Sequence, residues 1–135
     1  IRPVSDVAGL QAARAASDPG DEIVLAAGSY LVESNLNVAR SGTPCAPIRL
    51  RAATAHAALL RFDTVEGFRV AASDWRFEDL SIQGECGSDD FCEHAFHLLS
   101  AADRTVLRNN RVRDFNAPVK GNGEPVGPGD RFTQP

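Results

Sequence analysis

Four cationic or titratable side chains each stand between two apolar or small residues in a short segment; they are Arg49, Arg69, His97 and Lys120. Successive side chains of a strand point to opposite faces, so inward apolar neighbours turn the middle residue outward. Strands stacked about 4.8 Å apart would place the four in one column on one sheet. Such a column suits a polyanionic sugar chain, since Arg can hold a carboxylate through two parallel hydrogen bonds. The competing interpretation is a sheet face that simply carries solvated charges.

Cys86 and Cys92 enclose a small loop rich in Gly, Ser and Asp. Two cysteines six residues apart across such a loop are well placed for a disulfide, which would indicate an oxidising compartment. The alternative is a pair of free thiols. Zinc is disfavoured because no second Cys/His pair has zinc-ligand spacing. Cys45, the third cysteine, is interpreted as a lone small apolar residue.

The cysteine loop carries four acidic residues, which are Glu85, Asp89, Asp90 and Glu93. Their oxygens would suit calcium, but a solvated cluster that keeps the loop soluble is the favoured interpretation. His94 alternates with Phe96 and is expected to point inward, toward a backbone partner. The sequence contains no Gly-x-Ser-x-Gly, phosphate-binding loop or zinc signature. It therefore predicts no catalytic residue, metal ligand or cofactor within this chain.

Composition narrows the possible classes of protein. The chain has 135 residues, 43% of them hydrophobic, which is enough for one domain with a modest core. A net charge of −4 and the lack of a basic run argue against a general nucleic-acid binder. An apolar run of about 18 residues, the minimum for a transmembrane helix, is absent from the sequence.

The elements that must position these side chains are short β-runs cut by Gly, Asn and Asp. Residues 77–82 and 107–112 can be laid over each other, which predicts strands that stack coil on coil. Asn109 and Asn110 suit the tight turn between two sheets of a coil, because Asn tolerates left-handed backbone. The pattern predicts an all-β, right-handed parallel β-helix. A β-sandwich is the main rival, but the chain lacks hairpin dipeptides before Asn122-Gly123.

One helix is predicted, from Ser5 to Ser17, with Ser5 as its N-cap and Pro19-Gly20 as its end. It would cover the apolar N-terminal end of the solenoid. We divide the chain into a cap (1–22), the first coils (23–123) and a loop (124–135) leading to further coils. No terminal cap is evident after the last coil, so the β-helix is interpreted as truncated. Another chain or a crystal neighbour is expected to cover that open end.

Two stretches resemble a known family: residues 20–30, followed by Ser41-Gly42-Thr43 and Pro47-Ile48-Arg49-Leu50-Arg51-Ala52. They are similar to the opening coils of the chondroitinase B and alginate lyase family of polysaccharide lyases. The resemblance covers roughly residues 4–82. It implies a secreted or periplasmic protein that cleaves an acidic, uronate-containing polysaccharide by β-elimination.

That reaction needs a cation to neutralise the uronate carboxylate and a base to remove the adjacent proton. In the family, the Lys base, the Arg and the calcium-binding carboxylates come from later coils, so none is carried over to this sequence. Lys120 occupies too early a coil to match the base. The resemblance thus implies a chain that is inactive alone, with calcium only in a full-length protein. The alternative is a non-catalytic β-helix that binds glycans or serves as an adhesion scaffold.

Overall fold

The computed structural model describes residues 1–87 and 92–122. Within these ranges the chain forms one helix and thirteen strands, and the strands pair in parallel in three sheets. Sheet A contains β1 (Arg2–Val4), β2 (Glu22–Leu25), β5 (Ile48–Ala52), β8 (Trp75–Glu78) and β11 (Val106–Arg108). Sheet B contains β3 (Gly28–Val32), β6 (Ala58–Phe62), β9 (Ser81–Gly84) and β12 (Arg111–Arg113). Sheet C contains β4 (Leu36–Val38), β7 (Glu66–Val70), β10 (His94–Leu98) and β13 (Ala117–Gly121).

Each coil takes one strand from each sheet in turn, so the chain winds as a parallel β-helix. Ile23 pairs with Leu50, and Leu50 pairs with Phe77, which sets a step of 27 residues per coil in sheet A. The next step is longer, since Phe77 pairs with Leu107. Ile82 pairs with Val112 in sheet B, so the predicted overlay of 77–82 on 107–112 is confirmed as the register of adjacent coils.

The core is filled by inward side chains that stack from coil to coil. The rings of Phe68 and Phe96, on neighbouring strands of sheet C, stack with centroids 5.1 Å apart and planes 10° apart. Phe77 reaches them from sheet A, with its centroid 5.0 Å from Phe68 and 5.2 Å from Phe96. Aromatic pairs of this kind are worth about 0.5–1.5 kcal/mol beyond the area they bury. The three rings therefore tie two sheets together in the middle of the solenoid.

The N-terminal helix, α1 (Val7–Ala16), contacts β1 to β4 and buries Leu10 and Ala13 against them. It covers the N-terminal end of the coils, as the sequence predicts. The prediction that Ser5 caps this helix is wrong. Asp6 is the N-cap, and its carboxylate accepts a hydrogen bond of 2.7 Å from the Gly9 amide. Asp and Ser cap helices about equally well, so residue type alone could not choose between adjacent candidates.

Turns between sheets A and B use left-handed residues, as predicted for Asn109, which has φ 56°. The Asn110 side chain accepts a hydrogen bond from the Leu80 amide (3.0 Å) and donates one to the Phe77 carbonyl (2.9 Å). Asn109 donates to the Asp79 carboxylate on the coil before it, at 2.7 Å. The two asparagines thus hold successive turns in register.

The described ranges contain no helix with the length and apolar character of a membrane span. The division of the chain into a cap, coils and a tail stays a prediction, and its segment 124–135 lies outside the described residues. The expected cover over the last coil also remains untested.

Gly84 provides a sharp test of the stacking. A Cβ on this buried glycine would lie 2.2 Å from the Asp114 carbonyl oxygen of the next coil and 3.0 Å from Cys92 Sγ. We expect Gly84→Ala to lower the free energy of unfolding by about 1–3 kcal/mol, because a methyl group there forces adjacent coils apart. Gly87→Ala is the matched control, since its Cβ meets nothing within 4 Å. Urea unfolding of both variants measures the difference, and equal stabilities would contradict the described coil spacing.

Candidate functional site

The outward position at the centre of sheet C forms a column of four residues, here called the sheet C column: Asn37, Arg69, His97 and Lys120. Parallel pairing places Asn37 beside Arg69, Arg69 beside His97, and His97 beside Lys120. These residues lie on β4, β7, β10 and β13, the four strands of the sheet. Three of the four predicted binding residues therefore share one face.

Arg49 does not belong to this column, and the prediction that places all four residues on one sheet is wrong for it. Arg49 lies on β5 of sheet A, where it pairs with Glu22 and Arg76. It precedes Arg69 by fewer residues than the 27-residue coil step of sheet A. Apolar–charged–apolar alternation occurs in more than one sheet. It therefore identifies an outward residue but does not identify the sheet.

Arg69 and Lys120 are the accessible cations of the column. Both side chains are exposed, and neither forms an ion pair with any side chain in residues 1–87 or 92–122. The neighbours of Arg69, Phe68 and Val70, are buried, whereas Val119 beside Lys120 is 43% exposed. The strand geometry thus aims both charges at solvent without compensating them.

His97 is held inside the column. Only 8% of the residue is exposed, and its Nδ1 donates a 2.7 Å hydrogen bond to the Glu66 carboxylate. Its Nε2 lies 3.3 Å from the side-chain oxygen of Asn122. Both ring nitrogens therefore have protein partners, so His97 is much less available to a ligand than its place in the alternation predicts.

The sequence interpretation also missed Asn37 and Glu66. Asn37 lies 32 residues before Arg69, so the 27-residue step of sheet A does not lead to it, and its pairing with Arg69 emerges only from the assembled sheet. Glu66 also has no signal in the sequence, because its contact with His97 joins two strands through side chains that no local pattern relates.

His94 departs from its prediction. It is half-buried, and its Nδ1 is buried without a hydrogen-bond partner among the described residues, so the expected backbone partner is not found there. Its ring lies 5.9 Å from that of His97. The described part of the chain contains no group of three or more His, Cys, Asp or Glu side chains placed to hold a metal ion.

Sheet A carries a ladder of charges that largely compensate one another. Glu78, 7% exposed as a side chain, accepts a 3.0 Å hydrogen bond from Arg49 Nε and lies 3.8 Å from Arg108. Arg51 donates to Glu22 on the preceding coil, and this contact lowers the pKa of Glu22. Glu78 raises the pKa of Arg49. Arg49, which the sequence analysis assigned to ligand binding, is thus engaged in an ion pair between coils.

The disulfide between Cys86 and Cys92 is confirmed, with Cα atoms 5.6 Å apart. In the chain-entropy model, a disulfide that closes a loop this short raises the free energy of unfolding by about 2 kcal/mol. Of the acidic residues around it, Glu85 accepts two 2.8 Å hydrogen bonds from Arg61, which lower the pKa of Glu85. Asp89 and Asp90 lie outside the described residues. Cys45 is a free thiol and is exposed, so this small residue lies outside the apolar core.

Searches for similar proteins support the fold and go no further. No protein-family model matches the chain, and neither does any curated protein sequence. Among solved structures, it is similar to the PL6 family alginate lyase AlyGC, with a TM-score of 0.58 and 19% identity over 87% of this chain and 15% of that chain. An arginine-to-alanine mutant of AlyGC matches with a TM-score of 0.56 and 19% identity over the same shares of the two chains.

An alginate lyase from Paenibacillus sp. str. FPU-7 matches with a TM-score of 0.57 and 21% identity, over 81% of this chain and 43% of that chain. The chain therefore spans less than half the length of these enzymes. At such identities the likeness establishes a shared parallel β-helix fold.

An ion pair between the exposed Arg104 and the buried Asp74, beside sheet A, predicts how stability depends on pH. Arg104 donates two hydrogen bonds, of 2.7 and 3.0 Å, to the buried Asp74 carboxylate. These bonds lower the pKa of Asp74, against the opposing effect of burial. A carboxyl group with a lowered folded pKa stabilises the fold above its unfolded pKa of about 3.9, and this stabilisation is lost as pH falls through the folded value.

We expect Arg104→Ala to lower the free energy of unfolding at pH 7, because it leaves the buried Asp74 carboxylate without its donor. The cost should shrink as pH falls from the unfolded pKa of about 3.9 through the lower folded pKa of Asp74, because protonation of Asp74 weakens the pair in the parent chain as well. Urea unfolding at pH 7 and at pH 2.5 measures both values. Arg111→Ala, which removes an exposed arginine of sheet B, is the control. If Arg104→Ala lowered the free energy of unfolding equally at both pH values, the Arg104–Asp74 pair would not be the source of the pH-dependent stability.

Proposed function

We propose that this chain is the N-terminal part of a secreted or periplasmic, polysaccharide lyase-like protein that binds an acidic, uronate-containing polysaccharide. The observation that carries the proposal is the sheet C column, where Arg69 and Lys120 face solvent uncompensated by any described side chain. The fold shared with alginate lyases supports a polysaccharide ligand. The disulfide supports an oxidising compartment.

A carboxylate-bearing polymer suits these two groups better than a neutral one. An arginine presents a planar fork that matches a carboxylate, and a lysine supplies a compact charge. The net charge of the chain is −4, so a local cationic column also provides a preferred place for a polyanion to dock. The proposed contacts are made by Arg69 and Lys120. His97 lines the column, and Arg49 is not part of this surface because it lies on sheet A.

Cleavage by β-elimination is assigned to the full-length protein, outside this chain. The reaction needs a base and a group that neutralises the uronate carboxylate. Lys120, the single lysine of the sequence, is used here to bind a carboxylate, and both ring nitrogens of His97 have partners. Neither residue is therefore assigned the role of the base. In this proposal the described coils bind the polymer, and any calcium belongs to the full-length protein.

A second candidate is a glycan-binding or adhesion scaffold without catalysis. The sheet C column supports it equally, because Arg69 and Lys120 can bind carboxylates without any catalytic group beside them. The two candidates share the binding surface and differ in whether a full-length protein that contains this chain releases unsaturated sugars. Absorbance of the unsaturated product during incubation with alginate separates them.

Binding is tested by titrating the chain with alginate and with a neutral glucan at two salt concentrations. We expect Arg69→Ala to weaken alginate binding about three- to tenfold, since one exposed charge-assisted contact is lost. Arg111→Ala should bind like the parent chain, because it removes a comparably exposed arginine from sheet B. Added salt should weaken alginate binding, since exposed charges are screened over about 8 Å at physiological ionic strength. Equal affinity for the neutral glucan, or equal loss in both variants, would contradict the proposal.

A further inference from the structure

The spacing of the two accessible cations says more about the ligand than their charge does. Arg69, His97 and Lys120 occupy the same register position on three neighbouring parallel strands. Adjacent strands lie about 4.8 Å apart, so the backbones at Arg69 and Lys120 are about 9.6 Å apart along the solenoid axis. A ligand that engages both must therefore lie along the axis, across the strands.

The position between the two cations is occupied by His97, which is buried and hydrogen-bonded rather than exposed. His97 is 8% exposed and is bonded to Glu66, the acidic side chain that contacts the column at this level. Asn122 closes the other side of the ring. An incoming carboxylate at this level would meet an engaged imidazole with a carboxylate behind it. The column therefore alternates between a site that favours a carboxylate and a site that does not.

The column continues beyond Arg69 with Asn37, which is exposed and pairs with Arg69 in register. Its side-chain amide can donate to and accept from sugar hydroxyls, and it carries no charge. The order along the axis is thus an amide, a cation, an engaged imidazole and a cation. The two cations again occupy alternate levels.

We propose that the sheet C column binds a 1,4-linked uronan lying along the solenoid axis, one sugar per coil, with every second carboxylate on the protein side. In a 1,4-linked chain with a nearly twofold screw, successive carboxylates point to opposite sides. The first and third sugars then present their carboxylates to Arg69 and Lys120. The second sugar turns its carboxylate to solvent above His97. This inference rests on the proposed function and adds a register, a direction and a minimum length of three sugars.

The test uses the 135-residue chain and oligomannuronates of two, three and four residues, with affinities measured by calorimetry. A disaccharide reaches one cation, whereas a trisaccharide reaches both, and the second contact forms at high effective concentration. We expect the trisaccharide to bind about tenfold more tightly than the disaccharide and the tetrasaccharide to add little. Far-ultraviolet circular dichroism checks that every variant keeps the fold.

The gain of about tenfold in affinity from disaccharide to trisaccharide is here called the length step. Single-residue variants test whether it comes from the two cations. Arg69→Ala and Lys120→Ala should each abolish the step and leave disaccharide affinity nearly unchanged, because the other cation still binds one carboxylate. Lys120→Arg should keep the step, and Arg111→Ala, on sheet B, should keep it as well.

The inference and the proposed function fail in different ways. If alginate binding depends on Arg69 but affinity rises smoothly with length, the register is wrong and the binding surface stands. If neither alginate nor the oligomers bind, both are wrong. A length step that survives both alanine variants would assign it to another surface and would overturn the register.

Discussion

Parallel pairing between successive coils is the interaction on which the rest of this structure depends. Each strand takes its backbone partners from the coils before and after it, so a residue's neighbours lie a full coil away in sequence. The pairing holds equivalent positions of neighbouring strands about 4.8 Å apart. That spacing lets Phe68 and Phe96 stack face to face inside, and it also fixes how closely Arg69 and His97 approach outside.

The same stacking places the outward charges of adjacent coils close together, so each charge must be paired with an opposite charge or exposed to solvent. Sheet A does this by pairing, since Arg49 bridges to Glu78 on the next coil and Arg51 bridges to Glu22 on the coil before. Such pairs, partly exposed, contribute modestly to stability. Arg76 of the same sheet is exposed and forms no ion pair with a side chain of the described ranges. Sheet C leaves two cations, Arg69 and Lys120, uncompensated by any side chain of the described ranges. These two share one register position, and that alignment is the physical reason for placing ligand binding on sheet C.

Short apolar–polar β-runs cut by Gly, Asn and Asp predicted the β-helix, and capping and stop residues around 5–20 predicted the N-terminal helix. The overlay of residues 77–82 on 107–112 correctly predicted one register of adjacent coils, because Asn109 and Asn110 mark the same turn that Asp79 and Leu80 occupy one coil earlier. Local residue chemistry also predicted the disulfide, since both cysteines belong to one short loop.

The candidate site was predictable only in part. Arg49 was placed on the wrong sheet because the alternation recurs in other sheets, and assigning a strand to its sheet requires counting turns as well as strands. The burial of His97 depends on Glu66 and Asn122, which come from another strand and from beyond the last one. Contacts of that kind follow from the assembled coils, so no pattern within one strand reveals them.

The sheet C column requires the parallel register of that sheet, and nuclear Overhauser contacts in the isotope-labelled chain measure this register directly. The structure predicts backbone contacts between Arg69 and His97 and between His97 and Lys120, in the staggered pattern of parallel strands. Contacts between β7 and β8 in the pattern of an antiparallel hairpin, with none between β7 and β10, would contradict both the coil stacking and the column built on it.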